Sequence, residues 1–518
     1  MKKIIAWLLV VIICLTAVSC VEQSSSNGSD TQSNESFTSS DIISDEHTDV
    51  NSDKLCDTCG ISVVTTFDFY AINDLHGKFT NSETTVGVEG LTTYLKTVSA
   101  FDDNPIFLSS GDMWQGGAQS NLTKGAIVTE WMNSMGFSSM TLGNHEFDWG
   151  EDYVIENEKL AEFPFLAINI YERSTNKPVD YCESSTVVEC NGLQVGIIGA
   201  IGDCYSSISS DKVQDIYFKT GAELTALVKA ESQKLRSAGV DVIVYSLHDG
   251  YSKSPSTQII SDSALSSYYD VSLSNGYVDI VFEGHSHVGY TVRDGKNVYH
   301  LQNSGDNGGI SHAEIEYNFA NQNYEVTTAE HVSSADYRDI SADPIIEELL
   351  NKYDEQIKKG EEVLGNNALY RDKKFILSTL AKLYFQAGQE KWGDKYDIVL
   401  GGGFMTARSP GFLPRGSVKY ADIQAILPFE NELVLCSIKG RELLSKFINT
   451  SNSNYYIYCG EYGNSIKNNI DPNATYYLIT DTYSSSYTYN KLTVIEKYDS
   501  KTFACDLFAD YIRSGGLQ

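Results

Sequence analysis

Short, mostly apolar runs separated by polar segments recur along the first two thirds of the chain, a pattern typical of β-strands in an α/β protein. The first run alternates apolar and polar positions from Phe67 to Ile72, which predicts a strand with two distinct faces. We predict five such strands, at residues 67–72, 106–108, 140–142, 241–247 and 278–282.

Each predicted strand is followed by, or ends in, side chains that can bind a metal. In chain order these are Asp74 with His76, Asp112, Asn144, His248, and His285 with His287. Counting His145 directly after Asn144, five of the nine histidines fall in these segments. His300 and His312 lie in or beside strand-like runs and are expected to be structural. Functional sites of open α/β sheets assemble at the carboxyl ends of the strands. Carboxylate, amide and imidazole ligands in this number can hold two divalent cations and leave positions open for a phosphate.

A domain boundary is predicted near residue 343. Asp343-Pro344 has the composition of a helix start, and Ile346, Leu350 and Ile357 then recur at helical spacing until Gly360. A chain of 518 residues exceeds what one core usually supports, so two domains are expected. The predicted division is a signal peptide at 1–19, a Ser/Asp-rich tether at 20–63, a catalytic domain at 64–335, a linker helix at 336–362 and a substrate domain at 363–518.

The net charge of -31 changes the range of possible partners. Binding a nucleic-acid polymer relies on Lys and Arg side chains that neutralise phosphates, which argues against such a partner here. A small anionic nucleotide remains compatible, because two divalent cations would create a local positive field in an acidic molecule.

The amino terminus has the pattern of an export signal. Lys2 and Lys3 precede an apolar run at 4–18 that is short for a membrane span and suited to a signal-peptide core. Ala17-Val18-Ser19-Cys20 resembles a bacterial lipobox with Ala17 in place of the usual leucine, and Cys20 would then carry the lipid anchor. Simple secretion after a small-x-small cleavage site is the alternative. The Ser-rich tether favours a cell-surface lipoprotein.

Two further patterns involve cysteines. Cys56-x-x-Cys59 follows alternate acidic positions from Asp49 to Asp53, and the pair could bind zinc or form a small disulfide. The acidic positions resemble half of a calcium loop, but the glycine and the closing glutamate of such a loop are missing. Cys182 and Cys190 bracket a predicted hairpin and could close a disulfide in an exported protein.

In this order and spacing, the strand-end segments resemble those of the calcineurin-like metallophosphatases. The resemblance is closest to the 5'-nucleotidase branch, which includes periplasmic UDP-sugar hydrolases and cyclic-nucleotide phosphodiesterases, and it runs from about Thr66 to the end of the chain. It implies a four-layer α/β/β/α sandwich joined by a helix to a mixed α/β carboxyl-terminal domain. It also implies two metal ions, one held by Asp74, His76, Asp112 and His287, the other by Asp112, Asn144, His248 and His285. Zinc, manganese, iron and cobalt all suit these ligands.

The resemblance gives His145 and Asp148 catalytic roles rather than metal roles. In the family, the histidine of the Asn-His-Glu motif donates to a phosphate oxygen as charge develops, and the nearby aspartate orients its ring.

The resemblance also implies substrate contacts in the second region. Arg371 resembles an anion-binding arginine, and Arg408 stands three residues after Met405, the position where the family has another. The segment ending in Phe429-Glu430-Asn431 resembles the one whose phenylalanine stacks on the nucleobase. Tyr483 falls where the family has the opposing aromatic ring, although the Gly-Gly-Asp-Gly run that follows it in relatives is absent.

The implied function is an extracellular nucleotide phosphohydrolase that releases phosphate from nucleoside monophosphates by in-line attack of a metal-bound hydroxide. A 2',3'-cyclic-nucleotide 2'-phosphodiesterase/3'-nucleotidase or a UDP-sugar diphosphatase would use the same metals, so the substrate is a nucleotide or a sugar nucleotide. A non-catalytic nucleotide-binding lipoprotein would be expected to lose metal ligands, and the ligand set is complete.

Overall fold

A computed structural model provides the structure of the protein. It describes residues 47–81, 86–102, 104–261, 269–305, 309–332, 343–404, 407–408, 412–413, 415–449, 455–460, 463, 466–486, 492–498 and 502–517. The predicted signal peptide, Cys20, the tether before residue 47, the part of the predicted linker before residue 343 and Met405 lie outside these ranges.

The first six-stranded sheet contains three of the predicted strands. Its strands are β1 (Val64–Ile72), β2 (Ile106–Ser109), β3 (Ser139–Thr141), β4 (Phe165–Leu166), β13 (Ile310–Asn318) and β14 (Asn323–Val332). They lie in the order β14-β13-β1-β2-β3-β4. The strands β1 to β4 run parallel, and β13 pairs antiparallel with β1.

The second six-stranded sheet contains the other two predicted strands. Its strands are β6 (Ser185–Cys190), β7 (Leu193–Ile201), β9 (Val242–His248), β10 (Ile280–Glu283), β11 (Tyr290–Arg293) and β12 (Tyr299–Gln302). The order is β11-β12-β10-β9-β7-β6, with β7, β9, β10 and β12 parallel. A separate short pair joins β5 (Ile170–Glu172) and β8 (Ile216–Phe218).

The alternation along β1 accounts for the layering of the two sheets. Phe67, Phe69 and Ala71 point into a core between the sheets, whereas Tyr70 and Ile72 pack in the core under the helices of the first sheet. These helices are α1 (Val88–Ser99), α2 (Ala118–Leu122), α3 (Ala126–Met135) and α4 (Glu151–Leu160). On the second sheet, α5 (Gly221–Ser237) covers the outer face through Leu224, Val228 and Leu235. The predicted α/β/β/α sandwich is confirmed.

The predicted linker helix is present but is broken in the middle. Asp343 caps it by accepting a hydrogen bond from the Ile345 backbone N–H at 3.0 Å. The helix α6 (Pro344–Lys352) ends at Tyr353, and a short α7 (Asp354–Ile357) follows. Ile346 and Leu349 are buried against the helices of the first sheet, so this helix packs on the sandwich rather than standing free.

The carboxyl-terminal part has its own mixed sheet. Its strands are β16 (Ile398–Phe404), β18 (Leu433–Lys439), β19 (Tyr455–Tyr458), β20 (Thr475–Asp481) and β21 (Thr493–Lys497), in the order β19-β16-β20-β18-β21. A separate pair joins β15 (Val363–Asn367) and β17 (Gly416–Lys419). The helices are α8 (Lys373–Trp392), α9 (Tyr420–Ile426), α10 (Gly440–Leu443), α11 (Ile466–Asn469), α12 (Thr482–Ser486) and α13 (Ala504–Arg513). The buried Ile376, Leu380 and Tyr384 of α8 share a core with Leu435 and Ile479 of the sheet.

Short turns of tighter or wider helix complete the described elements. The 3-10 turns are His145–Phe147, Asp203–Ser207, Val271–Ser274 and Lys358–Glu361, and a π-helical turn covers Leu444–Ile448. In the part of the chain that the structure describes, no helix has both the length and the apolar character needed to cross a membrane.

The disulfide that Cys182 and Cys190 could close is not formed. Both thiols are free, because the hairpin turns after Cys190, which pairs with Leu193, so the two cysteines lie on the same side of the turn. The Cys182 thiol donates to the Ala167 carbonyl at 3.5 Å, and the Cys190 thiol donates to the Asn104 carbonyl at 3.4 Å.

Candidate active site

The carboxyl ends of β1, β2, β3, β9 and β10 meet at one end of the sandwich, and the predicted metal-type residues lie there. Two sheets can approach each other at this end because small polar groups join them. The Ser246 hydroxyl of β9 lies 3.0 Å from that of Ser110 and accepts a hydrogen bond from the Thr141 hydroxyl at 2.7 Å. Neither Gly111 nor Gly143 leaves room for a side chain. A Cβ on Gly111 would lie 2.5 Å from His248 Nδ1, and a Cβ on Gly143 would lie 2.3 Å from Asp112 Oδ1.

Asp74, His76 and His287 form one cluster, with ligand atoms within 4.8 Å of one another. His287 Nε2 lies 3.3 Å from Asp74 Oδ1 and 3.0 Å from His76 Nε2. The other nitrogen of His76, Nδ1, lies 2.9 Å from the Gln115 carbonyl oxygen. That contact orients the ring, as is usual for histidines that bind metals.

Asp112 and His248 lie beside this cluster and, with Asp74, form a second group within 4.8 Å. His248 Nε2 is 3.1 Å from Asp112 Oδ2, and His248 Nδ1 is 2.6 Å from the Ser110 carbonyl oxygen. His285 joins the group, because its backbone N–H donates to Asp74 Oδ2 at 2.8 Å and its ring lies 5.6 Å from that of His248. Asn144 is buried directly before His145, whose backbone N–H donates to Asp112 Oδ1 at 2.8 Å.

The residues present fit divalent cations. Four buried atoms in these clusters make no hydrogen bond of good geometry in the described structure, although the last two lie 3.1 Å apart: Asp74 Oδ1, Asn144 Oδ1, Asp112 Oδ2 and His248 Nε2. Unpaired polar atoms are costly inside a protein, and a bound cation would satisfy all four. Burial and the neighbouring His248 lower the pKa of His285 to about 4, which leaves its ring neutral and able to bind a metal. Burial opposes the ionisation of Asp112, but His248 and His145 hold the pKa of this carboxyl well below its usual value.

His145 and Asp148 lie together at the edge of the clusters, as predicted. His145 Nδ1 is 2.6 Å from Asp148 Oδ2, and its ring lies 5.2 Å from that of His76. Burial disfavours the charged ring, but the carboxylates of Asp148 and Asp112 outweigh burial and raise the pKa of His145. The arrangement gives a histidine that can hold a proton beside the candidate metals.

Glu146 is a structural member of the site to which the sequence motif alone assigned no role. Its buried carboxylate accepts hydrogen bonds from the backbone N–H groups of Asp112, Met113, Trp114 and Gly143 at 2.7 to 3.3 Å. It therefore ties the loop after β2 to the loop after β3. The sequence did contain one signal for this role of Glu146. It is an acidic residue between Asn144-His145 and Phe147, in a turn that is buried in the structure.

Arg408 and Phe429 bring the second region to the site. The Arg408 guanidinium donates to Gln115 Oε1 at 2.6 Å, and the backbone carbonyl of the same glutamine contacts His76. The ring of Phe429 lies 6.1 Å from that of His145, tilted by 33°. Both residues therefore face the metal-type clusters, although Arg408 is shifted by three positions from the family pattern.

The remaining predicted substrate residues are Arg371, Asn431 and Tyr483. The contacts that hold Arg371 do not involve the metal-type residues. Arg371 stacks over the Phe375 ring at 4.3 Å and pairs its backbone with Leu413, and its Nε is buried without a hydrogen bond among the described residues. Asn431 is buried. Tyr483 is half-buried on α12, so its role as an opposing ring stays a prediction.

Comparison with known proteins gives the class. Residues 67–289 match the calcineurin-like phosphoesterase family. The chain is 26% identical over 413 residues to protein UshA of Yersinia enterocolitica, covering 72% of this chain and 74% of that protein. It is 26% identical over 422 residues to a 5'-nucleotidase of Diplobatis ommata, covering 72% and 69%. Its fold is similar to a crystal structure of a 5'-nucleotidase precursor from Thermus thermophilus, with a TM-score of 0.65 at 19% identity, covering 87% of this chain and 96% of that one.

Residues 67–289 are thus a calcineurin-like phosphoesterase domain. The chain is a metal-dependent phosphoric ester hydrolase, a class that works with divalent metal ions, and the clusters described above are its candidate metal site.

Proposed function

We propose that this hydrolase acts on nucleotides and releases phosphate from nucleoside monophosphates, as a 5'-nucleotidase does. The relatives named 5'-nucleotidase support this substrate class. The observation that carries the proposal is the Phe429 ring beside His145, because an aromatic face next to a phosphate site can stack on a base.

Contacts of the residues that follow Phe429 hold it in this position. The next residue, Glu430, accepts a hydrogen bond from Lys124 at 2.5 Å through its side chain and from Lys212 at 3.3 Å through its carbonyl. The Thr482 N–H donates to the Glu432 carbonyl at 2.9 Å, which brings α12 and Tyr483 close to the same loop. This proximity supports the proposed pair of rings around a base.

The proposed ligands of one metal are Asp74, His76, Asp112 and His287, and those of the other are Asp112, Asn144, His248 and His285. When bound, the two ions would supply an activated water or hydroxide and a positive field for the phosphate. His145, oriented by Asp148, would donate to a phosphate oxygen as negative charge develops there. Arg408 and Arg371 would contact substrate oxygens, and Asn431 would help to position the base.

The proposed organisation follows the sequence division. Residues 64–335 form the catalytic domain, 336–362 the linker and 363–518 the substrate domain. Residues 1–19 direct export, and the tether at 20–63 connects the enzyme to a lipid anchor on Cys20, so that it acts on extracellular nucleotides.

A substrate panel with one matched pair of variants tests this function. The purified protein should release phosphate from nucleoside monophosphates faster than it hydrolyses cyclic nucleotides or sugar nucleotides. Phe429→Ala should raise KM for nucleotides about tenfold, the scale of one lost base stack, and leave a small aryl phosphate nearly unaffected. Phe101→Ala, an exposed ring before β2 and therefore at the opposite end of the sheet, serves as the control.

Preference for a cyclic or sugar nucleotide would replace the proposed substrate while keeping the metal site. If Phe429→Ala impaired both substrates equally, the ring would be structural and the nucleotide assignment would fail.

A further inference from the structure

A second cluster of metal-type side chains lies in the turn before β1. His47, Cys56 and Cys59 offer ligand atoms within 4.8 Å of one another. Cys59 Sγ is 3.6 Å from His47 Nδ1, and Cys56 is 3% exposed. The cluster contains sulfur, unlike the predicted ligand set of the phosphoesterase centre.

The backbone of this turn is shaped around the sulfur of Cys56. The Gly60 N–H donates to the Cys56 carbonyl at 2.8 Å, and Gly60 has a φ of 71°, so the chain folds tightly after Cys59. The N–H groups of Cys59, Thr48 and Thr58 and the His47 ring all face the Cys56 thiol. The turn therefore places both sulfur atoms beside the His47 ring, where a single ion could contact all three side chains.

The neighbouring acidic residues serve a different purpose. Asp49 is buried, and its carboxylate accepts hydrogen bonds from the Asp53 and Lys54 N–H groups at 3.0 and 3.1 Å and from Asn318 Nδ2 at 3.0 Å. Lys54 forms an ion pair with Glu316 of β13 at 2.7 Å. These contacts dock the turn on the catalytic sheet and occupy the Asp49 oxygens with N–H donors, so a calcium loop is not favoured here.

We propose that His47, Cys56 and Cys59 bind one thiophilic divalent cation, zinc by its chemistry, at a site separate from the phosphoesterase centre. Two thiolates and one imidazole are a preferred zinc donor set, and a water molecule can complete the tetrahedron. Binding releases the thiol protons and requires no oxidant. His47 Nε2, buried and without a hydrogen bond among the described residues, remains available as a ligand or as a donor that fixes the ring.

The position of the cluster suggests its purpose. Leu55 bridges to Ser62, the Val63 N–H donates to the Lys54 carbonyl at 3.1 Å, and β1 begins at the next residue. The bound ion would fix the first turn against the start of β1 and the end of β13, which pair with each other. The opposite end of β1 leads to Asp74, a predicted metal ligand of the phosphoesterase centre. The ion would therefore anchor the strand that positions this ligand.

Cobalt spectroscopy on the full chain distinguishes this site from the centre. The purified protein is depleted of metal under reducing conditions and titrated with Co²⁺, and thiolate-to-cobalt charge-transfer absorption in the near ultraviolet is recorded. We expect this absorption in the unmodified protein. Cys56→Ser and Cys59→Ser, each tested as a single variant, should both lose the absorption, and each should bind about one ion fewer per chain. His47→Gln should weaken binding and shift the ligand-field bands.

Cys204→Ser is the matched control, because Cys204 lies within 4.8 Å of the ligand atoms of His248 and His285 and is the other place where sulfur meets imidazole in the described chain. Its absorption should equal that of the unmodified protein. Loss in Cys204→Ser but not in Cys59→Ser would assign the sulfur ligand to the centre and overturn the proposal. An intact Cys56–Cys59 disulfide in protein isolated without reductant, or unchanged metal content in both serine variants, would also overturn it. Phosphatase activity is not needed for any of these readouts, so the result is independent of the proposed function.

Discussion

Backbone strain and unpaired polar atoms coincide at the candidate metal site. A positive φ is uncommon outside glycine and costs about 1 to 3 kcal/mol for each residue. Five of the predicted ligands adopt it: Asp74, His76, Asp112, His285 and His287, with φ between 51° and 70°. Asp74 Oδ1 and Asp112 Oδ2 are in addition buried without a hydrogen bond among the described residues. The rest of the fold therefore holds these residues in a costly conformation, and metal binding would satisfy their unpaired oxygen atoms.

At this scale, two substitutions separate metal binding from chemistry. Asp112→Ala removes the carboxylate that lies between the clusters, so both metal content and activity should be lost. His145→Ala should keep the metals and reduce kcat by about 100-fold or more, the usual effect of losing one donor to a developing charge. Metal analysis and steady-state kinetics on both proteins check this.

Collapse of metal content in His145→Ala would make His145 a ligand. Full activity in Asp112→Ala would refute the dinuclear site.

At the scale of elements, the sequence predicted what depends on local pattern. The alternation around Phe69 and the apolar runs located the five strands, and the residues after them are the ones that cluster in the candidate site. Features that depend on distant partners were not predictable. Glu146 acts through backbone N–H groups of another loop, and the antiparallel partner of β1 lies more than 200 residues away in sequence. The break at Tyr353 and the free Cys182 have no local signal, because packing and strand register decide them.

His300 links three neighbouring strands and gives a pH-dependent prediction. This buried ring on β12 lies 3.3 Å from Glu283 at the end of β10 and 3.5 Å from Asp294 after β11. Burial opposes its charge, but the two carboxylates outweigh burial and raise the pKa of His300 from 6.5 to about 9. A raised pKa stabilises the fold fully below pH 6.5, and the contribution disappears as pH rises through about 9. The shift in the pKa of His300 corresponds to a contribution of roughly 3 kcal/mol to the free energy of unfolding.

The thermal midpoints of the unmodified protein and His300→Gln, measured at constant metal concentration, should therefore differ most below pH 6.5 and converge towards pH 9. Asp294→Asn removes one of the two carboxylates and should move the convergence to lower pH. A difference that does not change with pH would mean that His300 contributes by packing alone.

At the scale of the whole molecule, several contacts near the candidate site join the sandwich to the carboxyl-terminal part. Lys124 pairs with Glu430, and Asn121 donates to the Gln424 carbonyl at 3.3 Å. These partners are about 300 residues apart in sequence, so only the fold brings them together. In the proposed site, each side would thus supply a part: the sandwich would supply the metal-type residues and the second region would supply Phe429.

The Lys124–Glu430 pair tests this shared construction. Its nitrogen and oxygen are 2.5 Å apart, and the side chains are only 22% and 29% exposed, so the pair should be worth about 1 kcal/mol in holding the Phe429 loop. Lys124→Met and Glu430→Gln should each raise KM for a nucleotide about fivefold and change aryl phosphate hydrolysis little, and the double variant should be no worse than either single one. Lys352→Met, which breaks the ion pair between the end of α6 and Glu130, is the control and should leave the hydrolysis of both substrates unaffected. Additive effects in the double variant would show that the two residues act separately, and equal losses on both substrates would show that the pair supports the fold rather than the nucleotide site.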